Sequence, residues 1–86
     1  MSYTIHLRKQ VLKELERLPT QVVAKISEAI EGLSNNPRPA GCKKIKGQEE
    51  YLWRIRVGDY RVIYSIEDTI KVVDVRKVGN RRDIYD

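Results

Sequence analysis

The sequence predicts an α+β fold: an N-terminal strand and a two-helix hairpin packed on one face of a small antiparallel β-sheet. Three observations carry that prediction. Apolar residues recur at helical spacing between positions 11 and 33, and with period two after position 50. A turn-rich segment, Asn35-Asn36-Pro37-Arg38-Pro39, separates the two blocks. Helices gathered in one block and strands in another argue for a segregated arrangement. Eighty-six residues allow one domain, spanning 1–86, and no internal repeat is visible.

Taken in order, Tyr3, Ile5 and Leu7 alternate with Thr4 and His6, the pattern of a half-buried strand. Val11, Leu12, Leu15 and Leu18 fall on one helical face. Leu18-Pro19-Thr20 interrupts that helix, because proline suits a helix start better than an interior and Thr20 can cap the next one. Val22, Val23, Ile26, Ala29, Ile30 and Leu33 form a second amphipathic face, ended between Gly32 and Pro37. A short turn between two such helices gives an antiparallel hairpin. In 51–57, Trp53, Ile55 and Val57 point one way and Leu52, Arg54 and Arg56 the other. Gly58-Asp59 is a two-residue hairpin turn, after which 60–66 returns. The segment 69–78 is almost continuously apolar through Ile70, Val72, Val73 and Val75, as suits a central strand. The helices cover one sheet face and leave the other open.

The net charge of +5 comes from 17 Lys+Arg against 12 Asp+Glu. Up to Ser34 there are five basic and four acidic residues, and from Asn35 onward twelve and eight. The excess therefore belongs to the strand-forming half, not to a tail. A two-residue turn at Gly58-Asp59 sets Val57 opposite Tyr60, Arg56 opposite Arg61, Ile55 opposite Val62 and Arg54 opposite Ile63. Two arginines directly opposed cost a few tenths of a kcal/mol or more. Three on one open face are better explained by a bound polyanion than by solvation alone. Lys43-Lys44-Ile45-Lys46-Gly47 reads as a further basic loop entering the sheet. Val78-Gly79-Asn80-Arg81-Arg82-Asp83-Ile84-Tyr85 leaves the last strand through a glycine turn and presents two arginines and a tyrosine. Interleaved with Tyr51, Tyr60, Tyr64 and Tyr85, these cations have the makings of a nucleic-acid site. Some of the tyrosines must serve a core that has no Phe, and Trp53 is read as core for the same reason.

Several classes are excluded. A hydrophobic content of 41% with 34% charged residues suits a globular domain, and no apolar run approaches the ~20 residues of a membrane span. The N-terminus has no apolar signal-peptide core, so the chain is expected to be cytoplasmic, with no membrane partner. A single cysteine, Cys42, rules out an internal disulfide and a cysteine-based zinc site. The single histidine, His6, rules out a nuclease built on a histidine pair. Asp59, Glu67, Asp68, Asp74 and Asp83 are scattered rather than set at two-metal spacing, and no glycine-rich phosphate loop is present. Neither metal nor cofactor is expected. Phosphodiester chemistry on this chain would rest on arginine electrostatics and a tyrosine.

The helix hairpin, the Pro-containing loop, Lys43-Lys44-Ile45-Lys46-Gly47, then Trp53-Arg54-Ile55-Arg56-Val57-Gly58-Asp59-Tyr60-Arg61-Val62-Ile63-Tyr64 and finally Val78-Gly79-Asn80-Arg81-Arg82-Asp83-Ile84-Tyr85 follow one another in a familiar order. That order resembles the RelE/ParE superfamily of bacterial type II toxin–antitoxin toxins, over essentially the whole chain, and the ending resembles the RelE branch. The resemblance implies a RelE-like fold and a ribosome-dependent endoribonuclease, an mRNA interferase that inhibits translation. It implies metal-independent attack of an RNA 2′-hydroxyl on the adjacent phosphate in the ribosomal A site. Carried over residue by residue, Arg54 and Arg56 hold phosphates and Arg61 stabilises the reacting phosphate. Arg81 supports the transition state or leaving group, and Tyr85 is a base or a stacking group. Lys43, Lys44, Lys46 and Arg82 are assigned to RNA binding.

Arginine, with a pKa above about 12, cannot serve as a general base. That leaves Tyr85, or positioning by the ribosome with no strong protein base. The implied partners are a RelB-like antitoxin, the mRNA and ribosomal RNA of the A site, and operator DNA only through the antitoxin complex. Two other readings stand beside this one: a ParE-like inhibitor of DNA gyrase without ribonuclease activity, and a diverged module that only binds an antitoxin.

Overall fold

A computed structural model describes residues 2–46 and 51–80. Strand β1 (Thr4–Leu7) leads directly into helix α1 (Lys9–Glu16) and then α2 (Thr20–Asn35). Four strands follow: β2 (Lys43–Lys46), β3 (Tyr51–Val57), β4 (Tyr60–Glu67) and β5 (Val72–Asn80). They form one five-stranded sheet in the order β1-β5-β4-β3-β2. The predicted α+β architecture is the one observed, with one refinement. β1 lies parallel to β5, with Ile5 opposite Val73 and Leu7 opposite Val75, while every other pair is antiparallel. Parallel neighbours need a long crossover, and the whole intervening chain supplies it.

The two helices cover one face of the sheet. Ile26, Ile30 and Leu33 of α2, at i, i+4 and i+7, meet Val11 of α1 above Ile55, Val62, Tyr64, Val73, Val75 and Val78. Tyr64 is fully buried, and its phenol donates to the Pro37 carbonyl at 2.7 Å. That bond fastens the turn after α2 to the middle of the sheet. The start of β1 is tied to the end of α2 in a similar way. The Tyr3 amide donates to the Ser34 carbonyl at 2.7 Å, and Ser34 Oγ donates to the Tyr3 carbonyl at 2.8 Å.

Four details of the sequence reading change. Thr20 does not cap α2. Pro19 occupies the N-cap position at φ −59°, ψ 146°, and its carbonyl receives the amides of Val22 and Val23. Proline's fixed φ already matches the extended cap conformation, so Thr20 becomes the first helical residue. The basic segment 43–46 is a strand, not a loop, and forms the sheet edge against β3. Its lysines hide it from an apolar-periodicity reading, and they are also what discourages edge-to-edge association. Gly79 and Asn80 do not turn away from the sheet but continue β5, opposite Arg61 and Tyr60. Ile70 lies outside β5, 68% exposed in the turn before it.

Candidate functional site

The β3–β4 hairpin positions the arginines. Gly58 takes φ +62°, a conformation glycine adopts without steric cost and a two-residue hairpin turn requires. The resulting register is the expected one: Val57 opposite Tyr60, Arg56 opposite Arg61, Ile55 opposite Val62, Arg54 opposite Ile63. Cross-strand partners share a face, so the pairings assemble into rows across the side of the sheet turned away from the helices. One row runs Arg56–Arg61–Gly79. The next runs Lys43–Arg54–Ile63–Lys77 over four strands. A third runs Ser65–Asp74–His6.

This face is not the flat, open surface that the sequence predicts. Arg54 is 3% exposed, Ile63 7% and Ser65 2%, whereas Arg56 and Lys43 are exposed and Arg61 is half-buried. Ile63 sits between Arg54 and Lys77; the Arg54 guanidinium is itself buried at Nε and Nη1, whereas the Lys77 stem can cover Ile63 while carrying its charge outward. The centre of the face is thus a partly desolvated bed beneath a rim of cations. Electrostatic attraction is stronger there than in bulk water.

Asp74 is the acidic residue in these rows, and it is already engaged. Arg8 donates to Asp74 Oδ2 through Nη2 at 2.9 Å and Nε at 3.2 Å, and His6 Nδ1 lies 2.9 Å from Oδ1. Arg76 Nε is 3.7 Å from the same Oδ2. Burial pulls this carboxyl's pKa upward, but the His6 and Arg8 hydrogen bonds and the charges of Arg8 and Arg76 outweigh it, leaving Asp74 more acidic than usual. Its negative charge is held toward the β1 edge, two strands from Arg54 and Arg56.

The expected site residues separate as follows. Arg54, Arg56, Arg61 and Lys43 come together on one face. Lys44 falls on the opposite face, with its Nζ 3.9 Å from the ring centre of Tyr51 and 5.7 Å from that of Trp53. Arg38 also lies over Trp53, at 5.0 Å, and is bonded to Asp68. The backbone of Lys46 pairs with Tyr51 at the end of β2. Arg81, Arg82 and Tyr85 lie outside the described residues. Among the described residues the expected interleaving of tyrosines with the cations does not occur: Tyr51, Tyr60 and Tyr64 share the helix-covered side with Trp53 and Val57. Period two decides this, since each tyrosine is an odd number of positions from the arginine that follows or precedes it.

Two cations that the sequence reading passed over, Arg76 and Lys77, belong to this face. The signal for them was the pair of adjacent charges inside an otherwise apolar strand, which strict alternation cannot accommodate. Among the described residues no group of three or more His, Cys, Asp or Glu could hold a metal ion. No described helix is long and apolar enough to cross a membrane.

A two-helix layer on a five-stranded sheet, with arginines gathered on the side of the central hairpin turned away from the helices, defines the RelE-like α+β class. The family described as ParE toxin of type II toxin-antitoxin system, parDE, matches residues 5–85. The chain is 34% identical over 88 residues to the putative toxin RelE1 of Methanocaldococcus jannaschii, covering 99% of this chain and 97% of that protein. It is 33% identical over 84 residues to toxin RelE of Mycobacterium tuberculosis, covering 96% and 86%. The crystal structure of the archaeal RelE–RelB complex from Pyrococcus horikoshii superimposes with a TM-score of 0.83 at 35% identity, over 94% of this chain and 97% of that one. The chain belongs to the RelE/ParE superfamily of type II toxin–antitoxin toxins.

Proposed function

We propose that the protein is a RelE-type mRNA interferase, which cleaves translated messages in the ribosomal A site and is neutralised by a RelB-like antitoxin. The observation that carries this reading is the opposed pair Arg56 and Arg61, beside the desolvated Arg54, on a face from which the acid Asp74 is drawn aside. Like charges directly opposed destabilise a sheet, and a phosphodiester between them turns that cost into binding. Attack of the 2′-oxygen forms a bond to phosphorus and expels the 5′-oxygen of the next nucleotide. The products are a 2′,3′-cyclic phosphate and a free 5′-hydroxyl, and the proton lost from the 2′-hydroxyl is matched by the one gained at the 5′-oxygen. Guanidiniums stabilise the doubly charged phosphorane through charge-assisted, bidentate hydrogen bonds, and preorganised donors of this kind contribute several kcal/mol each. They cannot take the 2′-hydroxyl proton. That step falls to Tyr85 or to groups of the ribosome, which also aligns the attacking oxygen. Lys43 continues the phosphate track at the β2 edge, and by the family resemblance Arg81 supports the transition state or leaving group and Arg82 binds RNA.

The antitoxin is taken from solved relatives that are RelE–RelB complexes; an acidic segment laid on the arginine face would compete with RNA. Expression of the chain alone is expected to stop growth, with primer extension showing breaks only in translated messages. Arg61→Ala in a folded protein is expected to abolish them. Intact messages together with DNA breaks would instead favour the alternative reading, a ParE-like inhibitor of DNA gyrase; the family description names the ParE toxin.

A further inference from the structure

The register between β4 and β5 slips once. Ile63 faces Lys77, but Tyr64 faces Val75, so Arg76 is an extra residue on β5. This is a β-bulge, and its effect is to change which side chains go where. Val75 and Val78, three positions apart, are both at most 1% exposed beneath the helices. Uninterrupted alternation would have put Val78 on the cation face and Lys77 among the buried valines. With the bulge, Lys77 joins the row of Lys43, Arg54 and Ile63. Arg76 lies on the same side, since its Nε donates to Ser65 Oγ at 3.2 Å and sits 3.7 Å from Asp74. Two consecutive residues of one strand thus place adjacent cations on one face, which an unbroken strand cannot do. Lys77 lies two strand spacings from Arg54, about 10 Å.

We infer that Arg76 and Lys77 form a second phosphate-binding station for single-stranded RNA, distinct from the one formed by Arg54, Arg56 and Arg61. The RNA backbone crosses the strands, with one phosphate at the β3–β4 arginines and a flanking phosphate at the bulge. Between the two stations lies Ile63, an apolar step with no charge of its own. Asp74 borders the station on the same face: engaged by Arg8 and His6, it lies 3.7 Å from Arg76 Nε. The station rests on the reading of this face as an RNA site, and the experiment separates the two.

The probe is a fluorescent single-stranded oligoribonucleotide of mixed sequence, 2′-O-methylated at every position to prevent cleavage in one arm and unmodified in the other. Binding to the full chain is measured from 50 to 200 mM salt. Lys77→Gln and Arg76→Gln, each checked for an unchanged thermal midpoint, are expected to weaken binding about three- to tenfold. Each should also reduce the slope of log K against log salt by about 0.7, the value for one lost contact on a single strand. Lys77→Arg should retain both. If Arg56→Ala weakens RNA binding while the two bulge variants leave affinity and slope unchanged, the station is overturned and the RNA face stands. If the bulge variants change only the capture of a RelB-like antitoxin, the bulge belongs to that interface and the station is again overturned. If the unaltered chain binds no RNA in either arm, the face reading fails and the station with it.

Discussion

Tyr64 shows how much a single atom can hold. Its ring is completely buried in the centre of the sheet, and its hydroxyl satisfies the Pro37 carbonyl, whose residue is also buried. Burial pushes the phenol's pKa well above its ordinary value, so it stays protonated, and a donor, at neutral pH. Tyr64→Phe keeps the packing but strands that carbonyl, and should cost about 1–3 kcal/mol. Urea denaturation would show a lower midpoint with an unchanged slope. At the surface, Asp68 is the reverse case. Hydrogen bonds from Arg38 and Tyr3 hold its pKa at about 2 against an ordinary 3.8. A depressed carboxylate contributes stability that is complete above about pH 4 and lost as pH falls through about 2. Asp68→Asn should therefore flatten the stability–pH curve between those limits and leave its shape near neutrality unchanged, as urea midpoints taken across that range would reveal.

At the level of elements, the β5 edge carries a second solution to an orphan group. β1 accompanies β5 only as far as Val75, and beyond that point α1 lies against the strand. The Val78 amide, which has no further β1 residue to meet, donates to Glu14 Oε1 at 2.9 Å. A helix carboxylate thus stands in for a missing strand. Glu14→Ala should destabilise by about 1–3 kcal/mol, and Glu14→Gln should recover most of that because its amide oxygen can accept the same bond. Amide exchange at Val78 would report both. Such long-range contacts leave no local mark in the sequence, whereas local geometry does. Gly58-Asp59 has a two-residue geometry that dictates the β3–β4 register, and the opposition of Arg56 and Arg61 follows from local chemistry alone. Val11, Ile26, Ile30 and Leu33 announce themselves by helical spacing. The β2 strand carries too few apolar residues for periodicity to register. The bulge at Arg76 inverts the phase of β5 midway; the adjacent charges of Arg76 and Lys77 hint at it, but only the pairing with β4 fixes where it falls. Parallel pairing of β1, at the far end of the chain, has no local signature. The cation face was therefore readable where one hairpin makes it, and not where β2 and β5 border it.

For the molecule as a whole, the question is whether net charge or its placement governs the partner. The domain measures 34 × 27 × 26 Å, and the helix layer separates its outer surface from the arginine face. The Debye length is about 8 Å at physiological salt, so a charge on the outer side of α2 is largely screened from RNA lying on β3 and β4. Lys25, exposed on α2, and Arg56, exposed on β3, allow a direct comparison. Lys25→Glu and Arg56→Glu change the net charge by the same amount, from +5 to +3. If the field of the whole protein drew in RNA indiscriminately, the two variants would lose affinity equally. Placement on the cation face predicts otherwise: Arg56→Glu should weaken binding of a single-stranded oligoribonucleotide at least about tenfold, since it removes a charge-assisted contact and sets a carboxylate opposite Arg61. Lys25→Glu should change it by less than about twofold. Equal losses in fluorescence anisotropy titrations at 150 mM salt would mean that the sheet organises no specific site, and that the arginine rows act only as diffuse positive charge.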